Sequence, residues 1–301
     1  MLLIEKLDFR HRRSRFRLAV DELAFPRGRV TALVGPNGSG KTTLFQVIAG
    51  LLVPDRGSIT FDGAPVGDCI ARGGLALCLD NLPPASRMKV GTWLDLAASA
   101  RRAAREAEPG AGPGIAERLG VPPLRDRSLD QLSRGQARRV ALAMMLGRGA
   151  DCALLDEPAA WLDPDAIVAL RSLIERLRND GAAVVVSSHL LGELERIADG
   201  YVFLDDGRVR RVVDASELRH GGGLRLVVPF WPREAALRWP GGELERVPGR
   251  GDWVTVRLPA DAGVTLPEVV QHLTAMGVGV HEAGMAGTSL EQLFDEFVSS
   301  R

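Results

Sequence analysis

Apolar and polar positions alternate along residues 2–9 and again along 16–25, which predicts two antiparallel strands. Between them lies a basic turn, His11-Arg12-Arg13-Ser14-Arg15. The run VTALVG at 30–35 is continuously apolar, the pattern of a strand buried on both faces. A Gly-rich loop follows, and helical spacing then runs from Thr42 to about Leu51. SITFDG at 58–63 predicts a short strand closed by a turn. From about 88 to 148 the pattern is helical, interrupted by PGAGPG at 109–114. Two more buried-strand runs, at 152–155 and 183–188, bracket a predicted helix at 164–178. Its Ile167, Leu170, Ile174 and Leu177 recur at 3–4 spacing, the mark of one apolar face. A helix at 190–198 and a hairpin around Asp205-Asp206-Gly207 close this region. Strands alternating with helices predict an α/β fold with a mostly parallel sheet covered on both faces.

The pattern changes near HGGG at 220–223, which reads as a linker. Beyond it the spacing predicts strands at 224–229 and 252–258, a helix at 266–276, a strand at 278–282 and a helix at 288–299. The domains expected are therefore 1–218 and a small α+β domain at 224–301.

Charge narrows the function. The 38 basic and 38 acidic side chains balance, which argues against a dedicated nucleic-acid binder. The only lysines are Lys6, Lys41 and Lys89; every other basic residue is arginine. Three cysteines, Cys69, Cys78 and Cys152, form no CxxC pair, so a reducing compartment is expected rather than a disulfide or zinc framework. The opening MLLIEKLDF shows no signal-peptide pattern, and no apolar run reaches the ~20 residues needed to cross a bilayer. Service to a membrane would then be by docking.

Two motifs carry chemistry. Gly35-Pro36-Asn37-Gly38-Ser39-Gly40-Lys41-Thr42, followed by Thr43, fits GxxxxGK[ST] between a predicted strand and a predicted helix. Chance places such a match about 0.003 times in a chain of this composition. Glycines let the loop curl its backbone N–H groups toward phosphate oxygens, and the helix adds the positive end of its dipole. Lys41 supplies a point charge for the outer phosphates, and Thr42 a hydroxyl for Mg²⁺. The second motif, Cys152-Ala-Leu-Leu-Asp156-Glu157-Pro158, is a buried strand ending in two acids, where open α/β sheets bind ligands. Asp156 is suited to Mg²⁺, and Glu157 to polarising a water for attack on the γ-phosphate of ATP.

Leu132-Ser133-Arg134-Gly135-Gln136 lies between these motifs and resembles the signature of the ABC ATPases. Outside that family the stretch would read as a helix start with a Ser cap. Trp161-Leu162-Asp163 resembles the family's D-loop, and His189 stands where the family has its switch histidine. The resemblance covers about residues 1–215. It implies the P-loop NTPase fold with an antiparallel β subdomain and a helical subdomain. It also implies an ATPase that works as a homodimer or heterodimer. The signature, with Ser133, Gly135 and Gln136, would close over the ATP held by another subunit, Asp163 of the D-loop would also contact nucleotide, and His189 would sense the γ-phosphate and orient the attacking water. A separate integral-membrane permease is implied as partner, docked near 80–95, with the chain peripheral on the cytoplasmic face of the cell membrane.

The chain departs from the family at three places. Arg134 replaces the signature's second glycine. The Q-loop glutamine is missing, and Asp80 or Asn81 falls at its place with an oxygen to offer Mg²⁺. Where the family stacks an aromatic ring on adenine, this chain has the basic turn at 11–15 flanked by Phe9 and Phe16. A base contact and a solvated turn are both open there. Near the end, Thr288-Ser289-Leu290-Glu291-Gln292-Leu293-Phe294 resembles the closing motif of drug-export ATPases with separate permeases, although a docked terminal helix would show the same spacing. Export is the expected direction. A non-transport ABC ATPase, of translation or repair type, is the alternative.

Overall fold

The computed structural model describes every residue except 12–15, 81–85, 105–113, 147–149, 221–222, 240, 259–263, 287–289 and 300–301. The chain divides into two compact units, Met1–Val213 and Asp214–Arg301.

The first unit begins with β1 (Leu2–Arg10), β2 (Arg17–Phe25) and β3 (Arg29–Val34), then α1 (Lys41–Ile48), β4 (Arg56–Phe61) and β5 (Ala64–Pro65). It continues through α2 (Val66–Ala71), β6 (Leu75–Cys78), α3 (Val90–Ala104), α4 (Ile115–Arg118) and α5 (Arg134–Leu146). It closes with β7 (Cys152–Asp156), α6 (Pro164–Asn179), β8 (Ala183–Ser187), α7 (Leu191–Ile197), β9 (Gly200–Asp205) and β10 (Arg208–Asp214). One ten-stranded sheet runs β5-β4-β1-β2-β10-β9-β3-β8-β7-β6. β9, β3, β8, β7 and β6 pair in parallel, whereas β2, β1, β4 and β5 pair antiparallel. The sheet is thus mixed, and its parallel half follows the continuous apolar runs. Every residue of β7 and of β8 is buried, as strands covered on both faces require. Leu33, Leu44, Phe45, Ile48, Leu154 and Val185 share the core beneath α1, which fixes the helix against the strand ends that carry the acids.

Of the predicted helical region, α3, α4 and α5 form, separated by two 3₁₀ turns at Pro122–Leu124 and Leu129–Gln131. Residues 109–113 of PGAGPG lie outside the described residues. Elements β5, α2 and β6, two to six residues long, are too short for periodicity to reveal. All three cysteines are buried free thiols, and burial pushes each of them above the usual thiol range.

The two compact units meet at the end of β10, and α8 (Ala215–His220) lies in the second. That unit continues with β11 (Gly223–Val228), α9 (Arg233–Arg238), β12 (Glu243–Arg246), β13 (Val254–Leu258), α10 (Leu266–Ala275), β14 (Glu282–Ala286) and α11 (Leu290–Ser299). Its sheet order β12-β13-β11-β14 is antiparallel throughout, the β-α-β-β-α-β arrangement of a split βαβ fold. Leu226, Trp239, Val256, Val269 and Leu273 form its core. No helix among the described residues is long and apolar enough to cross a membrane.

Candidate functional site

The phosphate loop leaves β3 and enters α1 through Gly40, whose φ of 107° disfavours any side chain. A Cβ there would also stand 2.6 Å from Cζ of Phe16. The Ser39 N–H donates to the Pro36 carbonyl at 3.1 Å, which closes the curl. The Gly207 N–H donates to the Ser39 carbonyl at 2.8 Å, tying the loop to the β9–β10 turn. The Ser39 hydroxyl is buried beneath the loop, with no hydrogen-bond partner among the described residues, and it does not line the cavity that the loop borders. Lys41 Nζ donates back to the carbonyls of Gly35 and Pro36 at 2.7 and 3.1 Å. Burial pushes its ammonium below the usual lysine range, while the charges of Glu157 and Asp156 pull it upward.

Asp156 ends β7 at 2% exposure. Thr42 Oγ1 donates to its Oδ2 at 2.6 Å, and Ser187 Oγ to its Oδ1 at 2.5 Å. A hydroxyl beside a carboxylate is the hard-oxygen set that suits Mg²⁺, so these residues fit that ion. Glu157 turns off the strand with φ of 48°, and its N–H is held by the carbonyl and hydroxyl of Ser187. Its Oε2 lies 2.7 Å from His189 Nδ1 and accepts the His189 backbone N–H at 3.2 Å. The ring of His189 is exposed, with the carboxylate of Glu157 more sheltered beside it.

Lys41, Thr42, Thr43, Asn37, Gly38 and Gly40 face Asp156 and Glu157 across a cavity of about 470 Å³. Asp80 also lines it; the alternative, Asn81, lies outside the described residues. His11 and Phe16 line it too, while Arg12 and Arg13 lie outside the described residues. In the sequence Phe16 reads only as a flank of the basic turn. Its packing against Gly40 is what brings it to the cavity.

Ser133, Gly135, Gln136 and Asp163 are not among the residues lining this cavity. Ser133 starts α5 as a cap: its hydroxyl accepts the Gln136 N–H at 3.3 Å, and the Gln136 amide oxygen accepts the Ser133 N–H at 3.1 Å. Asp163 caps α6 through the Ala166 N–H at 2.8 Å. A Cβ on Gly135 would stand 2.6 Å from the Trp161 carbonyl oxygen, so glycine permits close contact of α5 with the loop after β7. Arg134 lies over the Trp161 ring at 4.7 Å, so the residue that departs from the signature pattern packs on the stretch that resembles the D-loop.

Sequence reasoning misses Arg138 and Ser187. Arg138, on α5, is fully buried. It donates to the carbonyls of Leu79 at 2.7 Å, Asp156 at 2.7 Å, Glu157 at 2.5 Å and Pro158 at 3.3 Å. Nothing local marks it within the arginine-rich run 134–139. Ser187 is visible only as the polar end of AVVVSS.

With this geometry in place, the family described as "ABC transporter" matches residues 18–160. A lantibiotic transport ATP-binding protein, SrtF of Streptococcus pyogenes, is 33% identical over 64% of this chain and 82% of its own length. A Nod factor export ATP-binding protein of Burkholderia lata is 31% identical over 68% of this chain and 69% of its own. A molybdenum import ATP-binding protein, ModC of Mesorhizobium japonicum, is 35% identical over 68% of this chain and 56% of its own. Among solved structures, an ATP-binding subunit of an ABC transporter superposes with TM-score 0.65 at 26% identity, covering 73% of this chain and 92% of that one.

Proposed function

The chain belongs to the ABC transporter ATP-binding family, and from that premise we propose that it drives export through a separate membrane permease. Its activity is ATP hydrolysis, and as an ATP-binding subunit it works with membrane permease components. The observation that carries the site assignment is the carboxylate pair Asp156 and Glu157 facing the phosphate loop across one cavity.

In the proposed reaction, Lys41 and the backbone N–H groups of the curled loop hold the outer phosphates of ATP. Thr42 and Asp156 would hold Mg²⁺, with Asp80, which lines the same cavity, to complete the set. Bound there, the ion would supply positive charge against the negative charge of the phosphates. Glu157 takes a proton from a water as its oxygen bonds to the γ-phosphorus. The bond to the β–γ bridging oxygen breaks, and ADP and phosphate leave. His189, bonded twice to Glu157, keeps that carboxylate aimed. Ser133, Gly135, Gln136 and Asp163 serve a second ATPase unit, identical or not, and close over the nucleotide it holds. Closure on ATP and opening after hydrolysis shift the population that the permease senses. The chain then sits peripherally on the cytoplasmic face of the membrane.

Export is supported by Leu290-Glu291-Gln292-Leu293-Phe294 on α11 and by the Nod factor export relative. Thr288 and Ser289 of that motif lie outside the described residues. The import relative favours the opposite direction. ATP-dependent cargo accumulation inside inverted vesicles that carry the chain and its permease is expected; accumulation only in right-side-out vesicles would reverse the assignment. For the site, Glu157→Gln should bind ATP with near-native affinity, stay dimeric with it, and lose turnover by about 10²–10⁴-fold. Undiminished phosphate release by that variant removes Glu157 from its role.

A further inference from the structure

Arg138 is a cation enclosed in the protein with no carboxylate partner among the described residues. A buried charge of this kind is costly unless its donors are satisfied. Here the guanidinium is met by four carbonyls, and their positions are specific. Three belong to consecutive residues, Asp156, Glu157 and Pro158, at the turn where the chain leaves β7. The fourth belongs to Leu79, which directly follows β6 and precedes Asp80. One planar group therefore ties α5 to both strand ends that present acids to the cavity.

The turn it grips is strained. Glu157 has a φ of 48°, a left-handed conformation that is unfavourable for a side-chain-bearing residue and persists only where surroundings enforce it. The Glu157 N–H is held by Ser187 on one side, and the Glu157 carbonyl by Arg138 on the other. From this backbone its side chain reaches His189 and lines the cavity. Lysine, a point charge on a flexible stem, cannot bridge four carbonyls as the guanidinium fork does.

We propose that Arg138 is a positioning residue for ATP hydrolysis, holding the backbone of Glu157 in its strained turn so that the carboxylate is aimed at the attacking water. The inference rests on the assignment of Glu157 as the proton acceptor. It weighs on turnover more than on binding, because the phosphate loop makes none of the Arg138 contacts and only the backbone carbonyl of Asp156, not its carboxylate, is among them.

The test compares Arg138→Lys and Arg138→Gln in the native chain and in the Glu157→Gln chain, reading steady-state phosphate release, ATP affinity by calorimetry and the melting curve. Arg138→Lys is expected to lower kcat about 10–100-fold, with KM and ATP affinity changed less than about threefold. In the Glu157→Gln background the same substitution should lower residual turnover less than about twofold, because its effect passes through the missing carboxylate. An equal factor in both backgrounds, a parallel loss of ATP affinity, or native kcat in both variants overturns the proposal. So does recovery of both variants only as unfolded chain, which would make Arg138 a folding residue. Full turnover by Glu157→Gln alone is a different outcome: it defeats the assignment of Glu157 and is read before any Arg138 variant.

Discussion

The two units of this chain obey local conformational rules to different degrees. In Met1–Val213, five described non-glycine residues take positive φ: Lys6, Asp62, Glu157, Trp161 and Asp206. In Asp214–Arg301, every described residue with positive φ is a glycine, at 241, 249, 251 and 277. Two of the five exceptions, Glu157 and Trp161, lie in the short connection between β7 and α6. The nucleotide unit thus stores strain beside the acids, whereas the second unit is built of elements whose local preferences agree with their packing. Local inconsistency marks chemistry when the surrounding contacts over-determine it, as Ser187 and Arg138 do here.

The contrast can be broken in four ways. Lys41→Ala should reduce phosphate release by about 10²–10³-fold while leaving the fold intact by circular dichroism. Retention of a tenth or more of native turnover would detach the loop from catalysis. Trp239→Ala removes a tryptophan from the second core, where it is 4% exposed, and should cost that unit about 3–5 kcal/mol in chemical denaturation. A matching loss of turnover in the folded protein would show that the second unit supports the site. Trp161→Gly relieves about 1 kcal/mol of backbone strain but forfeits a stack with Arg134 worth about 0.5–1 kcal/mol. Trp161→Ala loses the stack and keeps the strain, so it should melt below Trp161→Gly; the reverse order would mean that φ of 67° carries no cost.

The smallest effect is a titration in the second unit. Glu268 accepts the N–H and hydroxyl of Thr265 at 2.9 and 3.0 Å, and these bonds hold its carboxyl below the usual range. A depressed folded-state value means the bonds stabilise the fold above the unfolded carboxyl range, near pH ~4.3. That contribution fades as pH falls through the lower, folded-state value. Melting curves of Glu268→Gln and the native chain should therefore converge on acidification, and a gap constant with pH would contradict this.

What can be read from residues alone follows the same division. The phosphate loop is legible because glycine, lysine and threonine at fixed offsets, between a strand and a helix, specify one backbone geometry. Asp156 and Glu157 are legible because two acids end an otherwise apolar run. Arg138 is not: its role comes from carbonyls 59 and 20 positions away, at Leu79 and Pro158, which only the tertiary fold assembles. In the second unit, α9 and β12 escape periodicity, being six and four residues long beside Pro232 and Gly241-Gly242. The strand expected at 278–282 lies instead at 282–286. Val278 is buried in the core without belonging to a strand, and Gly277 and Gly279 beside it let the chain pass there as a loop.

The enclosure of Cys69, Cys78 and Cys152 makes the native chain silent toward maleimides, since none of the three presents an accessible thiolate. A cysteine placed at Val53, 82% exposed, or at Leu237, 74% exposed, would then be the sole fluorophore attachment point. A label at either position would follow its own unit, without first stripping any wild-type residue.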